Sequence, residues 1–81
     1  MNKIVRIKIL NNYRIRLKFN DGISKTVNFL PFIGKGFTKE ILKLNYFKKA
    51  TIEPGGGIAW PNGYDFCPDF LKEYVEITPK K

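Results

Sequence analysis

The 81-residue chain predicts a single α+β domain over 1–81: a three-stranded antiparallel meander, a β-hairpin and one or two short helices, in the order β-β-β-α-β-β-α. Three observations predict it. Apolar residues alternate with polar ones through roughly the first thirty positions, Gly-containing turns separate the alternating runs, and a proline opens a helix-like stretch near the end.

In "IVRIKI" the apolar Val5, Ile7 and Ile9 are odd-numbered, and Arg6 and Lys8 are even. In "YRIRLKF" Tyr13, Ile15, Leu17 and Phe19 are odd, and Arg14, Arg16 and Lys18 are even. "ISKTVNF" continues the parity with Ile23, Val27 and Phe29. A period of two is the signature of strands with one buried face.

Parity also sets the loops. Directly opposed residues of an antiparallel pair share a face, so odd must oppose odd and each hairpin loop holds an odd number of residues. "NDG" at Asn20–Gly22 meets this requirement, with Phe19 opposite Ile23 and Gly22 in the left-handed position. A two-residue turn at Asn11-Asn12 would set Ile9 beside Arg14, so a three-residue loop or a bulge is predicted there, with an Asn at positive φ. Even residues take over in the third hairpin. Ile52, Ile58 and Trp60 form its apolar set, Glu53 opposes Gly57, and "PGG" is the loop.

Between these hairpins "TKEILKL" predicts two helical turns with Thr38 as N-cap and with Phe37, Ile41 and Leu44 on one face. "CPDFLKEY" predicts the C-terminal helix: Pro68 at its first position, Cys67 as N-cap, Asp69 against the positive helix end. "VEITP" closes the chain as a short strand or tail. The expected core is Ile7, Ile9, Ile15, Leu17, Val27, Phe29, Ile52, Ile58 and Trp60.

Composition excludes several activities. The chain has no His and one Cys, so there is no common general base, no intrachain disulfide and no zinc site. No metal and no cofactor are expected. No segment is apolar enough to span a bilayer or to form a signal-peptide core, and a thiol-only chain suits a reducing, cytoplasmic setting. The glycines Gly55–Gly57 lead into a strand, whereas a phosphate cradle opens a helix. Cys67 has no sequence-adjacent His or Lys to activate it, and it reads as a small, partly buried residue. Asp65, Asp69 and Glu73 recur every four residues, but helical acids of this kind are normally solvated or paired. No enzyme is expected.

"DGISKTVNFLPFIGKG" followed by "EPGGGIAWPNGYDFCPDFLKEY" resembles the small bacterial proteins grouped as domain of unknown function 2442. The shared features are the Asp21-Gly22 turn, Val27 to Phe32, the glycine-rich hairpin from Glu53, Trp60-Pro61-Asn62-Gly63 with Asp65, and the proline-started helix from Pro68. The resemblance implies a small α+β fold without established biochemistry. It further implies a partner encoded beside the chain, in an arrangement of toxin–antitoxin type. Longer members carry a helix-turn-helix domain; residues 1–81 hold none, so its DNA binding does not carry over. Tyr64, Cys67 and the basic first hairpin depart from the family pattern.

Within that motif Trp60 falls on the core side, Pro61–Gly63 form a turn, and Asp65 is placed to accept backbone N–H groups at the helix start. Trp60, Asn62 and Asp65 are the candidate loop site, with a structural role the stronger reading. The more informative feature is charge. Net charge is +8; residues 1–50 hold 12 Lys/Arg against Asp21 and Glu40, hence +10, and the remainder is −2. Arg6, Lys8, Arg14, Arg16 and Lys18 all point away from the core on two paired strands. Either odd register opposes base to base, which is destabilising by about a few tenths of a kcal/mol per pair. An external anion is the expected remedy. The leading expectation is an acidic protein partner docked by this non-enzymatic binding module. Nucleic acid held through phosphate contacts comes second, without base stacking because the face carries no aromatic ring. An accessory or structural domain with a merely solvated basic face is the third.

Overall fold

A computed structural model describes residues 1–75. Beyond Val75 the predicted terminal strand or tail lies outside the described residues. Strands β1 (Ile4–Ile9), β2 (Arg14–Phe19) and β3 (Ser24–Asn28) form an antiparallel sheet in the order β1-β2-β3. The register keeps parity: Ile7 opposes Leu17, Ile9 opposes Ile15, and Ile15 opposes Val27. Ile15, Leu17, Phe19, Val27 and Phe29 are fully buried.

Both turns follow the parity argument. Leu10 N–H donates to the Arg14 carbonyl across the three-residue loop Asn11–Tyr13, with Asn12 at φ +62°. Tyr13 shares that φ, an unusual conformation for a bulky residue. Phe19 N–H donates to the Ile23 carbonyl, Gly22 takes φ +90°, and the Asp21 carboxylate accepts from Ile23 N–H.

One position breaks the alternation. Ile4 opposes Phe19 whereas Arg6 opposes Lys18, so Val5 is the extra residue of a β-bulge. Val5, expected on the core side, is 55% exposed, and Ile4 is buried in its place. Ile7 and Ile9 are only partly buried on this edge strand.

The connecting segment is mostly 3-10 rather than α. Leu30–Phe32 make one short turn and Gly36–Leu42 a longer one, followed by α1 (Leu44–Phe47). Thr38 is not the N-cap. It sits three residues inside, where its hydroxyl accepts from Gly34 and Lys35 N–H and donates to the Lys35 carbonyl. The tighter 3-10 winding also undoes the predicted α-helical face. Ile41 is buried, but Phe37 is 62% and Leu44 55% exposed.

The second sheet has three strands, β4 (Thr51–Ile52), β5 (Ile58–Ala59) and β6 (Asp65–Phe66), in the order β4-β5-β6. β6 extends the predicted element order. Ile52 opposes Ile58, Glu53 N–H bonds the Gly57 carbonyl, and Gly56 takes φ +95° in the loop. Gly57 is required: a Cβ there would collide with the Phe66 carbonyl oxygen. Ile58 is buried, but Ile52 is exposed at the sheet edge and leaves the expected core.

Helix α2 (Pro68–Glu73) begins at Pro68 with Cys67 as N-cap, without a bond from the thiol. Cys67 is exposed, contrary to the partly buried site expected. The two sheets meet around Phe29. Its ring lies edge-on to Phe47, Trp60 and Phe66 at centroid distances of 6.5, 5.6 and 5.0 Å, an arrangement that aromatic quadrupoles favour.

Candidate functional site

The first hairpin is built so that its even-numbered side chains face outward. Lys8 opposes Arg16 and Arg6 opposes Lys18. The bond between Leu10 N–H and the Arg14 carbonyl marks that pair as hydrogen-bonded. Counting back by two along the ladder, the other two pairs are of the same kind, with Cα atoms about 5.5 Å apart. Successive bases on one strand are about 6.8 Å apart. Four cations thus stand at the corners of a small quadrilateral, with Arg and Lys alternating. They line, together with Ser24, a shallow cavity of about 300 Å³.

Arg14 stands apart. It opposes Asn28, is half-buried, and lies outside this cavity. Ser24 lies opposite Lys18 and Thr26 opposite Arg16, so β3 contributes hydroxyls and no charge. Glu53 directly follows β4 of the other sheet, where its N–H bonds the Gly57 carbonyl. Asp21 is engaged elsewhere. Its carboxylate accepts from the Lys72 ammonium at 2.5 Å, and that bond, with the one from Ile23 N–H, holds its pKa below the usual carboxylate range. Among the described residues no carboxylate forms an ion pair with Arg6, Lys8, Arg16 or Lys18.

The loop motif is used for folding. Trp60 is buried, and its Nε1–H donates to the Phe47 carbonyl at 3.0 Å. Asn62 donates to the Phe37 carbonyl and accepts from Tyr64 N–H, while Gly63, at φ +96°, closes the turn onto the Trp60 carbonyl. Asp65 is not at the helix start. It lies in β6 opposite Ala59, with its carboxyl beside that of Glu53. Burial, then the Asp65 charge, pushes the Glu53 pKa up. The structure therefore does not gather Trp60, Asn62 and Asp65 into one polar surface. Asp69 and Glu73 share α2, where Asp69 accepts from the Asn2 amide. Among the described residues no group of three His, Cys, Asp or Glu could hold a metal, and no helix is long and apolar enough to cross a membrane.

One charged residue escaped the sequence reading. Lys25 opposes Leu17 on the inward parity of β3. Its ammonium donates to the Lys72 carbonyl at 2.7 Å and the Tyr74 carbonyl at 2.6 Å, capping the end of α2. Burial, then the Lys72 charge, lowers its pKa. The signal was available: Lys25 is the single odd polar position in an odd-apolar strand.

Fold and face together define a small α+β domain presenting a cationic sheet surface. The chain belongs to the family described as protein of unknown function (DUF2442), whose model matches residues 4–76. No curated protein and no solved structure matches it.

Proposed function

We propose that the protein is a non-enzymatic cytoplasmic binding module whose basic hairpin face docks an acidic protein. The observation that carries this reading is the quadrilateral of Arg6, Lys8, Arg16 and Lys18 around one cavity, without carboxylate partners among the described residues. Cations this close repel one another. Two Arg forks at opposite corners suit bidentate carboxylate recognition. Without an aromatic ring among the lining residues, the face lacks the stacking platform that single-stranded nucleic acid uses. The further reading, that the partner is a toxin–antitoxin-like operon neighbour, rests on the family resemblance.

The test is copurification of the untagged protein from its host at low salt, beside a gel-shift assay with short DNA and RNA. An acidic protein should accompany the wild type, leave at high salt, and be lost from a Lys8→Glu/Arg16→Glu variant that still folds. Neither nucleic acid should be retarded. Retardation with log K falling against log salt at about −3.6, for four contacts at roughly −0.9 each, would replace the protein partner with nucleic acid.

A further inference from the structure

Strand addition at a sheet edge is a recurring way to hold an extended peptide: main-chain bonds supply affinity and alternate side chains supply selectivity. The first sheet has two edges, β1 and β3. The β1 edge is guarded, because it carries the Val5 bulge and Ile4 N–H already bonds the Gly56 carbonyl. The β3 edge is regular over Ser24–Asn28, holds no proline and pairs with β2 alone.

Phe19 N–H bonds the Ile23 carbonyl and Phe29 N–H bonds the Tyr13 carbonyl. Counting by two along the ladder, the odd-numbered residues of β3 are the ones bonded to β2. Ser24 and Thr26 therefore turn their N–H and C=O groups outward. Among the described residues neither main chain has a partner on that side. Asn28 differs, since its carbonyl accepts from the Tyr74 hydroxyl. Ser24 is exposed and Thr26 half-buried. Lys25, the one charged side chain of the strand, points inward and is held by the Lys72 and Tyr74 carbonyls.

The same two residues belong to the cationic face. Ser24 opposes Lys18 and lines the cavity, and Thr26 opposes Arg16. Directly opposed residues of an antiparallel pair share a face. A strand added at this edge thus sets alternate side chains on the side of Arg6, Lys8, Arg16 and Lys18. It lies about 4.8 Å from β3 and about 9.6 Å from β2. The stems of Arg16 and Lys18 are long enough to lean over the short Ser24 and Thr26 side chains toward it.

We infer that the acidic partner docks as an extended segment added antiparallel to β3, with Glu or Asp at every second position facing the cations. The inference rests on the docking reading proposed above and adds to it the conformation, place and residue pattern of the docked segment. Charge selects this occupant over a second copy. Two chains joined β3 to β3 would bring two cationic faces onto one side of one sheet, and each chain carries +8.

The peptide TETETET and two N-methylated forms of it test this, titrated into the full chain and followed by backbone amide shifts and hydrogen exchange. A Glu opposite Ser24 or Thr26 turns its own N–H toward β3. N-methylation of each Glu should therefore weaken binding about tenfold, the scale of about two lost main-chain bonds. N-methylation of each Thr, whose N–H points away from the edge, should leave binding unchanged. The unmodified peptide should slow exchange at the Ser24 and Thr26 amides, and Lys8→Glu/Arg16→Glu should weaken all three. Equal affinity for the three peptides overturns strand addition and leaves the docking face standing. So does slow Thr26 exchange in the free chain, or a concentration-dependent shift there without peptide, since either means that the edge is already covered by this chain or by a second copy. Failure of all three peptides to bind overturns the two readings together.

Discussion

Lys25 shows how one residue can look like a surface charge and act as a structural joint. Its ammonium supplies two donors to the Lys72 and Tyr74 carbonyls at the end of α2. Lys25→Met keeps the stem and removes the donors. It should cost about 1–3 kcal/mol in urea unfolding, the range for leaving partly buried acceptors unsatisfied. An unchanged midpoint would mean that water satisfies those carbonyls equally well. Glu53 supplies the pH counterpart. Its pKa is raised in the fold by burial and by Asp65, so the folded state holds the proton more tightly than the unfolded chain. That contribution is fully present below the unfolded pKa and is lost as pH rises through the folded value. Glu53→Gln should therefore be more stable than wild type at neutral pH, with the advantage vanishing in acid. A variant less stable at neutral pH would show that the ionised carboxylate holds the loop together.

Among the elements, β1 decides most. A single extra residue at Val5 exchanges which of Ile4 and Val5 enters the core. Ile4→Ala should cost about 2–5 kcal/mol, while Val5→Thr should stay within about 0.5 kcal/mol. The reverse order in thermal or urea melts would place the bulge elsewhere. The same bulge marks the limit of sequence reading. Period two and loop parity were enough to keep odd opposite odd in the first hairpin and to place Phe19 opposite Ile23 and Glu53 opposite Gly57, because sheet register is a counting problem once one face is apolar; which odd register the first hairpin takes stayed open, and the structure sets Ile9 opposite Ile15. Parity carries no information about where a count slips by one. The segment from Gly36 to Phe47 was harder for another reason. Thr38 bonds the preceding backbone at Gly34 and Lys35 in a stretch wound as 3-10 turns that leave Phe37 exposed, and the extended Lys43 breaks the run before Leu44. β6 is two residues long, too short for any alternation to announce it. Of the candidate site, Arg6, Lys8, Arg16 and Lys18 were legible through the same parity as the core beneath them. Arg14 shares their parity, but its half-buried place opposite Asn28 depends on three-dimensional neighbours that counting does not reveal. The edge-on contact of Tyr13 with Phe47 joins residues 34 positions apart, which no local pattern encodes.

At the scale of the molecule, the protein keeps like charges in register on one sheet face and spends its nearby acid, Asp21, on Lys72 instead. Two consequences follow for the isolated chain. Added salt should raise its stability by screening the ribbon, and Arg16→Glu should raise the urea midpoint at low salt by setting a carboxylate opposite Lys8. A midpoint that falls in both cases would mean the face is already neutralised. In the proposed docking the partner reads where the charge sits and not how much there is. The most direct measurement compares capture of the copurifying acidic protein by two variants of equal net charge, Lys8→Glu/Arg16→Glu and Lys35→Glu/Lys39→Glu, both checked for folding. The first should lose the partner and the second should retain it. Equal loss from both would show that bulk positive charge, with no particular face, is all the partner reads.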